Sequence, residues 1–469
     1  MTETVARPVV TVLDPADGSV VGSVPVAGAA EVDLAVRSAR AAAAAWARTP
    51  AAERGARLAA AADRVAAAAD GLALLTTREM GKPLADARGG VDAAVGTLRQ
   101  YAELGPVHRG RTLLGGWDAT DFMVPVPRGV VAAITPWNDP VAVPCGLLGA
   151  ALVTGNAVVF KPSERAPHTG MLLASLLAAD LPVELVSGDG TTGAALAAHS
   201  GVDVIAHVGS TVTGREIARA AVETGAKVIR ENGGCDALLV DDDVDPGWAA
   251  EQAALGCFAN AGQICTSVER VYVHAGIAAE FLAALVRRAG ALAPGPGTDP
   301  ATRLGPLVDR RHRAAVHAAV TEAVDAGATL LCGGVVPAGA GAYYPATVLT
   351  DCSPGLAVMR EETFGPVASV QVVGSFDEGL AAAADSAYGL AAVVLSRDLA
   401  HVQRAWRELP VGTVKVNAVF GGAPGGAAHP RGASGECFGY GPELLDEMTA
   451  TKVVHVGPAP SSSRPRLPR

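Results

Sequence analysis

The chain runs to 469 residues, enough for about two to four domains of ordinary size. Half of it is hydrophobic and 18% is charged, which excludes wholesale disorder. Thirty-seven Lys and Arg against 47 Asp and Glu leave a net charge of −10, which argues against a general nucleic-acid binder or a polybasic membrane protein.

In chain order, TVLDPADGSVVGSVPV predicts a short antiparallel unit around a Pro-Ala-Asp-Gly turn. Alanine-rich helices are expected over Glu31–Arg48 and Ala52–Met80, with Arg37, Arg40, Arg48, Arg54, Arg57 and Arg64 on their solvated side, and a third over Leu84–Leu104. Val107–Pro127 alternates loosely and reads as a hairpin or excursion from the main body. From Arg128 strands and helices alternate: GVVAAIT, AVVFKPS, VELVSG, VDVIAHVGS and AKVIREN are the strands, separated by helical stretches, and this pattern predicts a doubly wound parallel sheet. A second alternating series follows to about Val416, with DALLV, RVYVH, GLAVMR, ASVQVVG and AAVVLS as its strands. The expected architecture is therefore α/β: two such domains, a small protruding β element and a frayed tail, SSSRPRLPR.

One uncharged stretch, Pro140 to Phe160, is long enough to span a bilayer. Its prolines, glycines and Asn156 favour a buried helix followed by a buried strand, so a soluble chain is expected. MTETVARPVV carries no signal-peptide pattern, and seven cysteines cannot all pair, so reduced thiols in the cytoplasm are expected. The ten histidines are scattered without metal-ligand spacing, and no metal is expected.

Six short segments could carry chemistry. Asn260–Ser267 (NAGQICTS) frames Cys265 with an amide and the hydroxyls of Thr266 and Ser267; alone, a cysteine is as well explained by burial. Glu231 ends a strand before paired glycines in RENGG, where it is a general base or a solvated charge. Thr135-Pro136-Trp137-Asn138-Asp139-Pro140 fixes an amide between two prolines, either an oxyanion donor or a turn cap. Lys161-Pro162-Ser163-Glu164 could hold two ribose hydroxyls or be a surface pair. Two glycine turns remain. Gly188–Gly193, which includes Gly190, is a literal G-x-G-x-x-G without the acid expected about twenty residues on, whereas Gly209-Ser210 opens a helix whose N-terminus suits a pyrophosphate.

These segments, in this order, resemble the aldehyde dehydrogenase superfamily over nearly the whole chain, together with REMGKPLADA, VGSTVTG, EETFGP and YGLAA. The resemblance implies that Cys265 is the nucleophile, Glu231 the base and Asn138 the oxyanion donor. It places Lys161, Ser163 and Glu164 at the adenosine ribose, Gly209 and Ser210 at the pyrophosphate, and Glu362 at the nicotinamide ribose. Thr135, Pro136, Trp137 and Phe364 lie beside the cofactor, and Gly190 on its adenine side. It further implies an NAD-binding domain over 1–108 and 128–233, a catalytic domain over 234–436, an oligomerisation element over 109–127 and 437–460, and a homodimer or homotetramer. The expected reaction is hydrolytic oxidation of an aldehyde with NAD, NADP being possible, by way of a cysteine thiohemiacetal and thioester. The alternatives are a coenzyme-A-acylating enzyme, which would not need Glu231, and a non-catalytic scaffold. Asp139, Gly146, Leu147 and Arg431 depart from the commonest family pattern. They suggest a wider, polar substrate entrance shaped by Asp139, Gly146, Thr266 and Arg431, or simply an Asp139–Arg431 ion pair at the rim.

Overall fold

The computed structural model describes residues 8–421, 426 and 429–459; the expected tail at 461–469 lies outside them. Two sheets organise the chain. In the first, Lys227–Glu231, Val204–Val208, Val130–Ile134, Ala157–Lys161 and Val183–Leu185 lie side by side and parallel. Three of these strands are buried at every residue, as parallel strands covered on both faces must be. One face packs under the helices Ala51–Ala67, Leu84–Leu104 and Ala142–Val153 through Leu58, Leu98 and Leu148. The other meets Ala29–Arg48, whose small side chains Ala35, Ala39 and Ala43 let the helix lie close to Val130 and Val159. Pro140–Phe160 resolves into the buried helix Ala142–Val153 and the strand Ala157–Lys161. Among the described residues no helix is long and apolar enough to cross a membrane.

The second sheet has seven strands, ordered Thr329–Cys332, Thr347–Thr350, Val367–Val373, Val268–His274, Asp236–Val240, Ala391–Leu395 and Thr413–Val416. All neighbours are parallel except the first pair. A third sheet joins Arg111–Leu113, Thr120–Pro127 and Thr449–Val456 antiparallel, and the fully exposed Leu114 and Trp117 lie in the loop between its first two strands.

Several expectations are corrected. GLAVMR is not a strand; Ala357–Met359 forms a single 3₁₀ turn, for which Pro354-Gly355 upstream leaves no room to extend. The helix expected over Ala52–Met80 is two helices, Ala51–Ala67 and Ala69–Met80, that meet at Ala68. Arg54 is not on the solvated side: its guanidinium donates to the Val153 and Thr49 carbonyls, stopping two helix ends. Gly435-Glu436 pairs antiparallel with Arg230-Glu231 as an edge of the first sheet, and Leu444, Leu445 and Met448 are buried in that sheet's core. Among the described residues of 437–460, Thr449–Val456 is the part that joins the third sheet.

Candidate active site

The nucleophile candidate sits where a helix is forced to stop. After Pro246–Phe258, Asn260, Ala261 and Gly262 all take left-handed backbone conformations, with φ of 50°, 56° and 72°. A Cβ at Gly262 would strike the Gly365 carbonyl, so only glycine fits. Strain of this kind persists only where neighbours over-determine it, and Gln263 does so. Its carbonyl accepts from Asn138 Nδ2 at 3.0 Å and from Asn260 Nδ2 at 3.1 Å, its Oε1 accepts from Val308 N at 2.8 Å, and its Nε2 donates to Asn260 O at 3.1 Å. Two residues on, Cys265 is half-buried and opens on a cavity of about 370 Å³.

That cavity also receives Pro136, Trp137, Asn138, Gly209, Ser210, Gly233, Glu362 and Phe364. A second cavity of about 580 Å³ is lined by Thr135, Pro136, Trp137, Lys161, Ser163, Glu164, Gly190, Gly209 and Ser210. Pro136, Trp137, Gly209 and Ser210 belong to both, so the two form one groove. It lies past the carboxyl ends of Val130–Ile134 and Val204–Val208, where the strand order reverses and ligands of open α/β sheets bind. Ser210 caps Thr211–Thr224 by accepting from Thr213 N at 3.2 Å, which leaves the helix's positive end facing the groove. Lys161 is almost wholly buried; its Nζ donates to Pro162 O at 3.2 Å and lies 3.9 Å from Glu164. Burial lowers its pKa, against the pull of Glu164 and Asp189.

The paired glycines of ENGG have a local reason. Gly234 N donates to Glu362 Oε1 at 3.1 Å, and a Cβ at Gly233 would overlap the Glu362 carboxylate. Burial pushes Glu362 up to about 7. Glu231 faces a separate cavity of about 200 Å³ with Thr97, Leu147 and Tyr440; Val143 and Val208 wall both this space and the one at Cys265. Its Oε1 has no hydrogen-bond partner among the described residues, and burial alone pushes its pKa up to about 7. Burial also raises the Cys265 thiol, and the carboxylates of Glu231, Asp236, Glu362 and Asp139 raise it further.

The substrate candidates are dispersed. Asp139 pairs not with Arg431 but with Lys82, at 3.4 Å. Arg431 is exposed on a two-residue strand against Tyr388-Gly389 and lines none of the cavities described here. Thr266 and Gly146 do not line them either; a Cβ on Gly146 would come within 3.3 Å of the Tyr440 ring, which occupies that side of the helix. Lys82 lines a further cavity of about 670 Å³ on the Ile264 side of the nucleophile turn, with Asp86, Glu251, Arg303 and Phe420.

Four residues escaped the sequence reading. Arg165 stacks over Trp137 at 5.4 Å, and His312 makes edge contacts with Trp137 and Phe364. His207 is buried in the groove wall with its pKa lowered to about 4, which keeps it neutral at pH 7. Glu269 lies behind Thr363 and Phe364. Only Arg165, directly after KPSE, and His312, in the first turn after the capping Asp309, had a signal in their position; His207 sits inside a strand read as apolar, and Glu269 lies just before the strand RVYVH.

The model of the aldehyde dehydrogenase family matches residues 2–454. The chain belongs to the aldehyde dehydrogenase family. It is an NAD(P)-dependent aldehyde dehydrogenase, an oxidoreductase. It is 39% identical over 423 residues to the 3,6-anhydro-alpha-L-galactose dehydrogenase of Streptomyces coelicolor, covering 87% of this chain and 84% of that one. A betaine aldehyde dehydrogenase of Cereibacter sphaeroides is 37% identical over 463 residues, 96% and 94% of the two chains. Among solved structures, the betaine aldehyde dehydrogenase of Staphylococcus aureus in complex with NAD+ superposes with a TM-score of 0.93 at 29% identity, covering 96% of this chain and 91% of that one.

Proposed function

We propose that this dehydrogenase converts a polar aldehyde to the free carboxylate, preferring NAD+ to NADP+, with Cys265 as nucleophile, Asn138 as oxyanion donor and Glu231 as base. The observation that carries the reading is the opening of Cys265, Asn138, Glu362 and Phe364 on one cavity continuous with the Lys161–Ser210 groove. The groove fits a dinucleotide by its own chemistry. Lys161 has ammonium hydrogens left to donate, the Ser210 helix end suits a pyrophosphate, and the Glu362 carboxylate can accept from ribose hydroxyls.

When bound, the nicotinamide cofactor supplies the hydride acceptor. Cys265 adds as thiolate to the aldehyde carbon, making it tetrahedral. The Asn138 amide uses one N–H on Gln263 O and keeps the other for the alkoxide oxygen, with the Cys265 backbone N–H as its second donor. Collapse of the alkoxide expels hydride and leaves an acyl thioester on Cys265. Glu231 then takes a proton from water as it attacks the thioester, and the carboxylate and thiol separate. Glu231 supports hydrolysis over transfer to coenzyme A.

The experiment is a turnover screen of chemically diverse aldehydes with NAD+ and NADP+ in parallel. Accumulation of acyl-CoA instead of acid on adding coenzyme A would overturn the hydrolytic reading, and silence with every aldehyde would favour a scaffold. Glu164 supports the NAD+ preference, since a carboxylate at the ribose repels a 2′-phosphate. Glu164→Gln should narrow the ratio of NAD+ to NADP+ kcat/KM by about tenfold; an unchanged ratio removes Glu164 from that role.

The charged lining around Lys82, Asp86 and Arg303 supports a polar aldehyde, with the Asp139–Lys82 pair beside Asn138 as its discriminator. Asp139→Asn should shift relative kcat/KM across anionic, neutral and cationic aldehydes by about tenfold. Arg431→Ala, at an exposed strand, is the comparison that separates the two candidates: a shift there and none at Asp139 would reverse the assignment. The third sheet, with Leu114 and Trp117 bare in its loop, supports assembly as a homodimer or homotetramer. Seven free thiols support a reducing, cytoplasmic setting. We assign residues 1–108 and 128–233, with the strand Gly435-Glu436, to the cofactor domain and the second sheet to the catalytic domain.

A further inference from the structure

We infer that Glu269 is a positioning residue that fixes the cofactor-facing loop Glu362–Phe364 relative to Cys265. It stands four residues after Cys265, near the start of Val268–His274, a central strand of the second sheet. A carboxylate buried there is costly unless donors meet both oxygens. They do. Oε2 accepts from Thr363 N at 2.7 Å and Oε1 from Phe364 N at 2.8 Å. The adjacent Arg270 directs its guanidinium elsewhere, to Cys235 O, Tyr272 Oη and the Ala382 and Ala383 carbonyls. Burial raises the Glu269 pKa well above the ordinary carboxylate range, the neighbouring carboxylates of Glu362 and Asp236 add to this, and the two amides oppose it. Each of the two oxygens thus has its own amide donor, which fixes the orientation of the carboxyl group.

The loop needs such a hold. Phe364 has φ of 52°, an unfavourable conformation for a bulky residue, sustained only by surrounding contacts. His312 completes the clamp: its Nε2–H donates to Phe364 O at 2.7 Å, and its ring packs edge-on against Phe364 and Trp137. Three backbone groups of two adjacent residues, the Thr363 and Phe364 amides and the Phe364 carbonyl, are thus tied. Two of the three are held by one side chain on the strand that directly follows the nucleophile turn. The sulfur and the carboxylate of Glu362 therefore keep a fixed spacing across their shared cavity, which the transfer of hydride from a Cys265 adduct requires.

This rests on the cofactor site proposed above, and the test separates the two. The Glu269→Gln enzyme offers one acceptor oxygen where two amides need one each. Its KM for NAD+ should rise about tenfold or more, with a slower burst of reduced cofactor. Cofactor-free hydrolysis of an activated ester, p-nitrophenyl acetate, needs the thiol, amide and base but not the loop, and should stay within about twofold of wild type. An unchanged KM for NAD+ overturns the inference, and so does ester hydrolysis that falls in parallel, which would mark general damage around Cys265. If the variant does not fold, amide exchange in the wild-type, cofactor-free enzyme decides: the Thr363 and Phe364 amides should be strongly protected, and rapid exchange at both sinks the clamp. Failure of the wild-type enzyme itself to bind NAD+ would instead count against the cofactor site.

Discussion

The Glu231→Gln enzyme should release one equivalent of reduced cofactor per active site in a rapid burst and then turn over about 10²–10⁴ times more slowly than wild type. The burst survives because thiol addition and hydride loss do not need the base; the slow phase is a thioester waiting for unassisted water. In wild type the slow step should accelerate as pH rises through about 7, where burial has placed the Glu231 carboxyl, because only its ionised form accepts a proton. The slow phase of the variant should lack that limb, while its burst rate keeps the rise due to the thiol, whose pKa burial and nearby carboxylates hold above the ordinary cysteine range. Full steady-state activity in the variant would remove Glu231 from the role of base.

The same substitution carries a stability signature of opposite sign. A folded pKa raised from 4.5 to about 7 means that the fold favours the protonated carboxyl. Little is lost below pH 4.5; the penalty grows as pH rises towards 7 and is constant above it. At about 1.4 kcal/mol per pH unit, the glutamine enzyme should gain up to about 3 kcal/mol at pH 8 and almost nothing near pH 4.5. Thermal denaturation of the two proteins at both pH values reads this directly, and an equal difference at the two would contradict it.

Asn138→Ala should fail at the other end of the cycle. Loss of one oxyanion donor costs about 10²–10³ in rate, here in the burst itself, so the burst and steady-state rates fall together. Asn138 also ties Gln263 O, so the variant loses a contact that seats the nucleophile turn. Asn138→Asp keeps the shape but replaces the donor with a charge that repels the alkoxide, and should be at least as slow. A normal burst rate in either variant would reassign the oxyanion site.

Much of this was legible in the residues. The parallel sheets follow from apolar strands alternating with helices, and the site segments were visible because each combines a strand end with turn residues. What escaped did so for physical reasons. The break at Ala68 falls inside an uninterrupted alanine run, where helix propensity carries no boundary signal. GLAVMR has strand-like composition, but its short span folds as a turn beneath the Arg360–Asp385 pair. The partner of Asp139 is Lys82, 57 positions away, and proximity of that kind has no local trace. Glu269 was passed over because it falls one residue before the strand read as RVYVH; its reason for being buried, two loop amides, comes from residues almost a hundred positions later.

The hub at Gln263 has a wider consequence. Its contacts reach Asn138, Asn260, Pro306 and Val308, while Gly262 abuts Gly365. The octapeptide that bears the thiol is therefore not a portable cassette. Grafted onto another scaffold it would arrive without the distant groups that hold its backbone, and reactivity at this cysteine belongs to the assembled chain as a whole.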